Sequence, residues 1–104
     1  MQLPKTVKLF GQTWNVQETK LSDDRLGECG ADSREIKIEQ ALKDQAKTAT
    51  FLHEICHAYL SLGPMQTLLE TVSEEWHFDL EELVCLWFET AMFDFLQNNK
   101  LKLK

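Results

Sequence analysis

The hydrophobic and polar positions of this chain change rhythm once, near residue 40. Before that point the apolar residues come in short alternating runs. Thr6-Val7-Lys8-Leu9-Phe10 and Thr13-Trp14-Asn15-Val16-Gln17 flank Gly11-Gln12, a two-residue hairpin signal. Leu21 to Arg25 is polar and turn-like, and Leu26-Gly27-Glu28-Cys29 reads as a short strand. After a turn at Gly30-Ala31-Asp32-Ser33, the segment Arg34 to Glu39 alternates with period two. That alternation predicts a half-buried strand with Ile36 and Ile38 facing the core.

After Gln40 the spacing becomes helical. Ala41 to Leu62 contains no Gly or Pro, and Ala46, Ala49, Leu52, Ile55 or Cys56, and Tyr59 or Leu60 recur at intervals of three and four. Gly63-Pro64 is a helix stop, with the glycine as C-terminal cap. Met65 to Val72 fits a short helix. Ser73 to Asp79 is polar apart from Trp76 and Phe78, and Asp79 is placed to cap a further helix. Leu80 to Gln97 predicts that helix, long, apolar around most of its circumference and therefore expected to be buried. The outline is an α+β fold: a small antiparallel or mixed sheet, then two main helices. With no repeats or long linkers, residues 1–104 read as one domain ending in a short basic tail, 100–104.

Composition narrows the function classes. Hydrophobic residues make up 43% and charged residues 27%, an ordinary globular balance. The net charge of -6 argues against a nucleic-acid partner, which would require a clustered basic face. No apolar run approaches a membrane span, and Met1 to Phe10 lacks the pattern of a signal peptide. Cys29, Cys56 and Cys85 form an odd set without CxxC spacing, as expected of reduced thiols. A cytoplasmic location is the expectation.

The chemistry concentrates at His53-Glu54-Ile55-Cys56-His57. Four residues of helix advance about 400° and about 6 Å, so both imidazoles leave one face a turn apart. Two nitrogens so placed can ligate one Zn²⁺ at about 2.0–2.1 Å. Glu54 is rotated about 100° from His53, beside the metal. A carboxylate there can take a proton from the attacking water and later return it to a leaving amine.

The run Thr50-Phe51-Leu52-His53-Glu54-Ile55-Cys56-His57-Ala58 resembles the active-site helix of zincin metallopeptidases. The layout around it resembles small phage and prophage zinc proteases akin to the ImmA/IrrE family. Those proteins similarly set a strand, here Glu35 to Glu39, before the HExxH helix. A second helix comes next, opening with an acidic pair and a valine, here Glu81-Glu82-Leu83-Val84. The likeness covers roughly residues 26–99. It implies a zincin core, an edge strand able to hold a polypeptide substrate by β-addition, and a glutamate as third ligand. The stretch from Gly63 to Asp79 is longer than in the shortest relatives.

A catalytic zinc takes three protein ligands and keeps one position open. Glu81, Glu82, His77 and Glu89 are candidates for the third. From Glu81 the helix stripe runs through Val84, Cys85, Phe88, Met92 and Phe95 without a charge. From Glu82 it runs through Cys85, Leu86, Glu89, Phe93 and Leu96, with a charge in the middle. A buried unpaired carboxylate costs several kcal/mol, so Glu82 and Glu89 are expected to face solvent. Glu81 is thus the expected ligand, with Glu82 and His77 as alternatives; the family spacing, counted back from Phe93-Asp94-Phe95-Leu96, favours Glu82. Tyr59 is expected in the core rather than at an oxyanion, and Cys29 reaches the zinc only if its strand borders the cleft.

Two functions fit these residues. One is peptide-bond hydrolysis with Glu54 as general base. The other is a non-catalytic phage-type accessory protein that keeps zinc for stability and binds a host protein. Glu54 favours the first, since a structural site has no use for a carboxylate at that position.

Overall fold

The computed structural model describes residues 2–62, 65–77 and 79–99; Met1, Gly63-Pro64, Phe78 and the basic tail lie outside the described residues. Two strands, β1 (Thr6–Leu9) and β2 (Gln12–Thr19), pair antiparallel. Their register sets Leu9 opposite Gln12, so the hairpin loop is Phe10-Gly11 rather than Gly11-Gln12. Both loop residues have positive φ, 49° and 78°, the left-handed pair that lets a two-residue turn follow the strand twist. Gly11 takes this conformation without strain. Phe10 does so with its ring 71% exposed and edge-on to Tyr59, the centroids 5.1 Å apart.

β3 (Gly27–Gly30) and β4 (Glu35–Glu39) form a second antiparallel pair, joined by the turn at 31–34. The chain skips one strand position after β2, so β4 slots between β2 and β3 and runs parallel to β2. The order β1-β2-β4-β3 makes the sheet mixed, with β4 interior and β3 on an edge. Ile36 and Ile38, alternating on β4, are fully buried as the period-two pattern requires.

Helix α1 (Asp44–Leu62) covers one face of this sheet. Phe51, Ile55 and Ala58 join Leu3, Leu9, Trp14, Ile36 and Ile38 in the core. Helix α2 (Met65–Trp76) runs four residues past the expected end at Val72. The stretch from Ser73 does not break it because nothing before Trp76 is Gly or Pro. Helix α3 (Leu80–Asn98) packs chiefly on α1. Asp79 caps it, its Oδ1 accepting from the Glu82 N–H at 3.0 Å, and Glu81 and Glu82 in the first turn complement the helix dipole.

α3 corrects one expectation. It is long and apolar but not buried: among its described side chains only Cys85 is, while Leu83, Leu86, Trp87 and Phe95 are about half exposed or more. A chain of this size has too few residues to cover an apolar helix on every side. No helix among the described residues is long and apolar enough to cross a membrane.

Candidate metal centre

α1 carries His53 and His57 one turn apart on the face turned toward α3. Their Nε2 atoms converge to 3.2 Å, with the rings inclined at 64°. From the first turn of α3, Glu82 reaches both: Oε1 lies 2.7 Å from His53 Nε2, and Oε2 lies 3.2 Å from His57 Nε2. The donor atoms of His53, His57 and Glu82 all lie within 4.8 Å of one another, positioned to hold a metal ion. Ligands of a tetrahedral ion at about 2.0–2.1 Å stand about 3.4 Å apart, so the set fits with small adjustments.

The outward nitrogens are held as well. Glu81 Oε2 lies 2.6 Å from His57 Nδ1, and Glu89 Oε1 lies 2.7 Å from His53 Nδ1. With Nδ1–H donating to a carboxylate, each ring keeps its Nε2 lone pair free and aimed at the common point. Both histidine side chains are mostly shielded, at 12% and 21% exposure.

This geometry reassigns the carboxylates. Glu82, one of the two alternatives, joins the two Nε2 atoms, and Glu81, the expected ligand, supports His57 from behind. Glu82 and Glu89 were expected to face solvent because a charge on their stripe had no visible partner. In the fold, Glu89 is only 22% exposed because His53 supplies that partner. The signal for this role is in the spacing: Glu82 and Glu89, seven apart, share one helix face as His53 and His57 do. The other alternative, His77, is exposed at the end of α2, in the neighbouring groove with Ser73 and Asp79, and is not among the converging donors.

Glu54 is 8% exposed and lines, with His53, His57 and Glu82, an open cleft of about 630 Å³. β3 forms the opposite wall, through Gly27 and Cys29. Burial pushes the Glu54 carboxyl above the usual carboxylate range; His57 and His53 oppose the shift, and Glu82 and Glu28 add to it. For His57, burial works against the imidazolium. The Glu81 hydrogen bond, with the charges of Glu54, Glu81 and Glu82, outweighs it and raises the pKa.

Cys29 does border the cleft. Burial, then the charges of Glu54 and Glu81, push its thiol up to about 12, so it is a neutral wall group rather than a ready thiolate ligand. Cys56 and Cys85 are buried beside one another between α1 and α3, and burial raises both thiols. Tyr59 lies outside the cleft, 38% exposed against Phe10, and is not a core residue. Comparison of the chain with protein-family models, with curated proteins and with solved structures found no match in any of the three.

Proposed function

We propose that the chain is a zinc-dependent hydrolase that cleaves peptide bonds in a polypeptide substrate, with His53, His57 and Glu82 as metal ligands and Glu54 as general base. One observation carries this reading. Three donors converge with both imidazoles braced from behind, while a shielded carboxylate with no metal-directed role stands beside them in the same cleft. A site serving stability alone would close its coordination shell and leave no such group.

The donor set, two neutral imidazoles and a carboxylate, suits Zn²⁺. A zinc ion held there supplies Lewis acidity toward a carbonyl and acidifies water. Glu54 takes the proton of the attacking water and delivers it to the departing amine. Its raised pKa suits both halves of that transfer, since a carboxyl closer to neutrality holds the proton long enough to pass it on. Glu81 and Glu89 keep the imidazoles in one tautomer throughout. β3, as an edge strand beside the cleft, offers unpaired backbone groups to an extended substrate chain.

A second reading has one observation in its favour. Leu83, Leu86 and Trp87 leave an apolar face of α3 exposed, the kind of surface a partner protein covers. On that reading the metal serves stability and the protein acts by binding. Glu54→Gln separates the two. It preserves shape but cannot take a proton, so hydrolysis of a labelled unfolded polypeptide should fall about 10²–10⁴-fold with zinc content unchanged. A biological effect that persists in this variant identifies the binder instead.

A further inference from the structure

The two histidines of the cleft are each held by a carboxylate, but among the described residues no hydrogen bond holds Glu54. Its position is set by packing. Glu54 and Thr50, one turn apart on α1, press against the edge strand β3 at Gly27. A Cβ built on Gly27 would lie 2.9 Å from Glu54 Cγ, 2.9 Å from Thr50 Cγ2 and 3.1 Å from Glu54 Oε2. Carbon atoms in ordinary contact stay about 3.5–4.0 Å apart. Neither Cγ nor Cγ2 is the free end of a long side chain, so α1 and β3 approach this closely only because residue 27 lacks a side chain.

We infer that Gly27 is a positioning residue, a seat on the strand wall that fixes the Glu54 carboxylate beside the two imidazoles. The inference rests on the hydrolytic reading of the site and adds to it the element that aims the base. α1 supplies the side chain, and its helical geometry fixes the Cα–Cβ direction. Beyond Cβ, the remaining torsions of a glutamate are free unless something blocks them. The Gly27 backbone blocks the side toward the sheet. With a methyl group at position 27, the Glu54 side chain must rotate out of the seat or the helix must lift from the strand. Because the histidines are tied to α3 through Glu81, Glu82 and Glu89 rather than to β3, rotation of Glu54 leaves the metal ligands where they are.

The test is Gly27→Ala, studied in the full chain alongside Gly27→Ala/Thr50→Ala, which removes the Thr50 methyl group and leaves the contact with Glu54 in place. The single variant should bind zinc within about twofold of the parent, while kcat on a labelled unfolded polypeptide falls at least tenfold and KM changes far less. The double variant should keep most of that loss, because Glu54 Cγ and Oε2 still crowd the added methyl group when Thr50 Cγ2 is gone. A return to parent-like kcat would overturn the seat, since the clash would then act through Thr50. In a crystal structure of the single variant the carboxylate should be moved from its seat. Zinc affinity falling together with kcat would overturn the proposal, since Gly27 would then be supporting the ligands. So would parent-like turnover with Glu54 unmoved. If the parent itself hydrolyses nothing, the hydrolytic reading fails separately. The seat is then decided by the crystal structures alone, a displaced carboxylate upholding it and an unmoved one overturning it.

Discussion

Glu82 and Glu89, two turns apart on α3, grip the same histidine from opposite sides of its ring: each places an Oε1 2.7 Å from His53, one at Nε2 and one at Nδ1. The two contacts are chemically distinct. At Nε2 the carboxylate stands among the donors positioned to hold a metal ion, whereas at Nδ1 it is placed to accept the N–H hydrogen bond that fixes the tautomer.

That difference predicts a graded series in metal affinity. Glu82→Ala should abolish tight zinc binding, as should His53→Ala and His57→Ala. Glu81→Ala and Glu89→Ala should weaken it by about 10–100-fold without abolishing it. Competition with a chromophoric chelator measures all five. Full affinity in Glu82→Ala, or its loss in Glu81→Ala alone, would contradict the assignment.

Metal removal should lower thermal stability by an amount that grows with the logarithm of the affinity. An ion that binds only the folded chain contributes RT ln(1 + [L]/Kd), about 2.7 kcal/mol at a hundredfold excess over Kd. Melting with and without chelator should therefore differ in the parent and coincide in Glu82→Ala. Equal melting temperatures in the parent under both conditions would argue against binding.

The Glu54 carboxyl predicts a pH-dependent gain on substitution. Its folded pKa lies above the ordinary value of 4.5, chiefly through burial. The folded state thus holds this proton more tightly than the unfolded state, and stability declines as pH rises from about 4.5 through the raised value. At pH 7 the folded state therefore carries a penalty from this group. Metal-free Glu54→Gln should melt above the metal-free parent at pH 7, and the difference should shrink toward zero below pH 4. A variant that is less stable at pH 7 sinks this account. The group proposed to do the chemistry is then one that the fold holds at a stability cost.

Cys29 should be unreactive. With its thiol pushed up to about 12, the metal-free protein at pH 8 should alkylate at this position at least about a hundredfold more slowly than free cysteine. Cys29→Ser should leave zinc affinity within about twofold. Rapid labelling of Cys29, read by peptide mass mapping, would show that its surroundings are less shielded than the fold implies.

Much of this architecture is legible in residue patterns because single-element periodicity carries it. Ile36 and Ile38 alternate, and β4 is where they predict; the run around His53 and His57 repeats at helical spacing, and α1 contains it. The features that escape such patterns depend on pairs of elements. Glu81 and Glu82 are adjacent, only about 100° apart, so both can face a helix crossing nearby. Which of them meets the Nε2 atoms is set by how α3 crosses α1. The burial of Glu89 is hidden for the same reason, since its cost vanishes only when His53 stands opposite. Gly27 gives no signal as one more glycine in a short strand, because its importance lies in the approach of Thr50 and Glu54 from another element.

The contact between His57 and Glu82 joins positions 25 residues apart, and the whole of α2 lies inside that span. Any link between the two, an ion included, ties the chain into a ring at this point. Among the described residues of α2 only Leu69 is buried, so this helix has little packing of its own to hold it down. It rests on α1 and α3, and Ser73 accepts a hydrogen bond from the Leu80 N–H at 2.9 Å. Closing a ring of that length costs the chain loop-closure entropy, which the link offsets only in the folded state. α2 thus lies inside a loop whose two ends meet at a contact that it does not itself make.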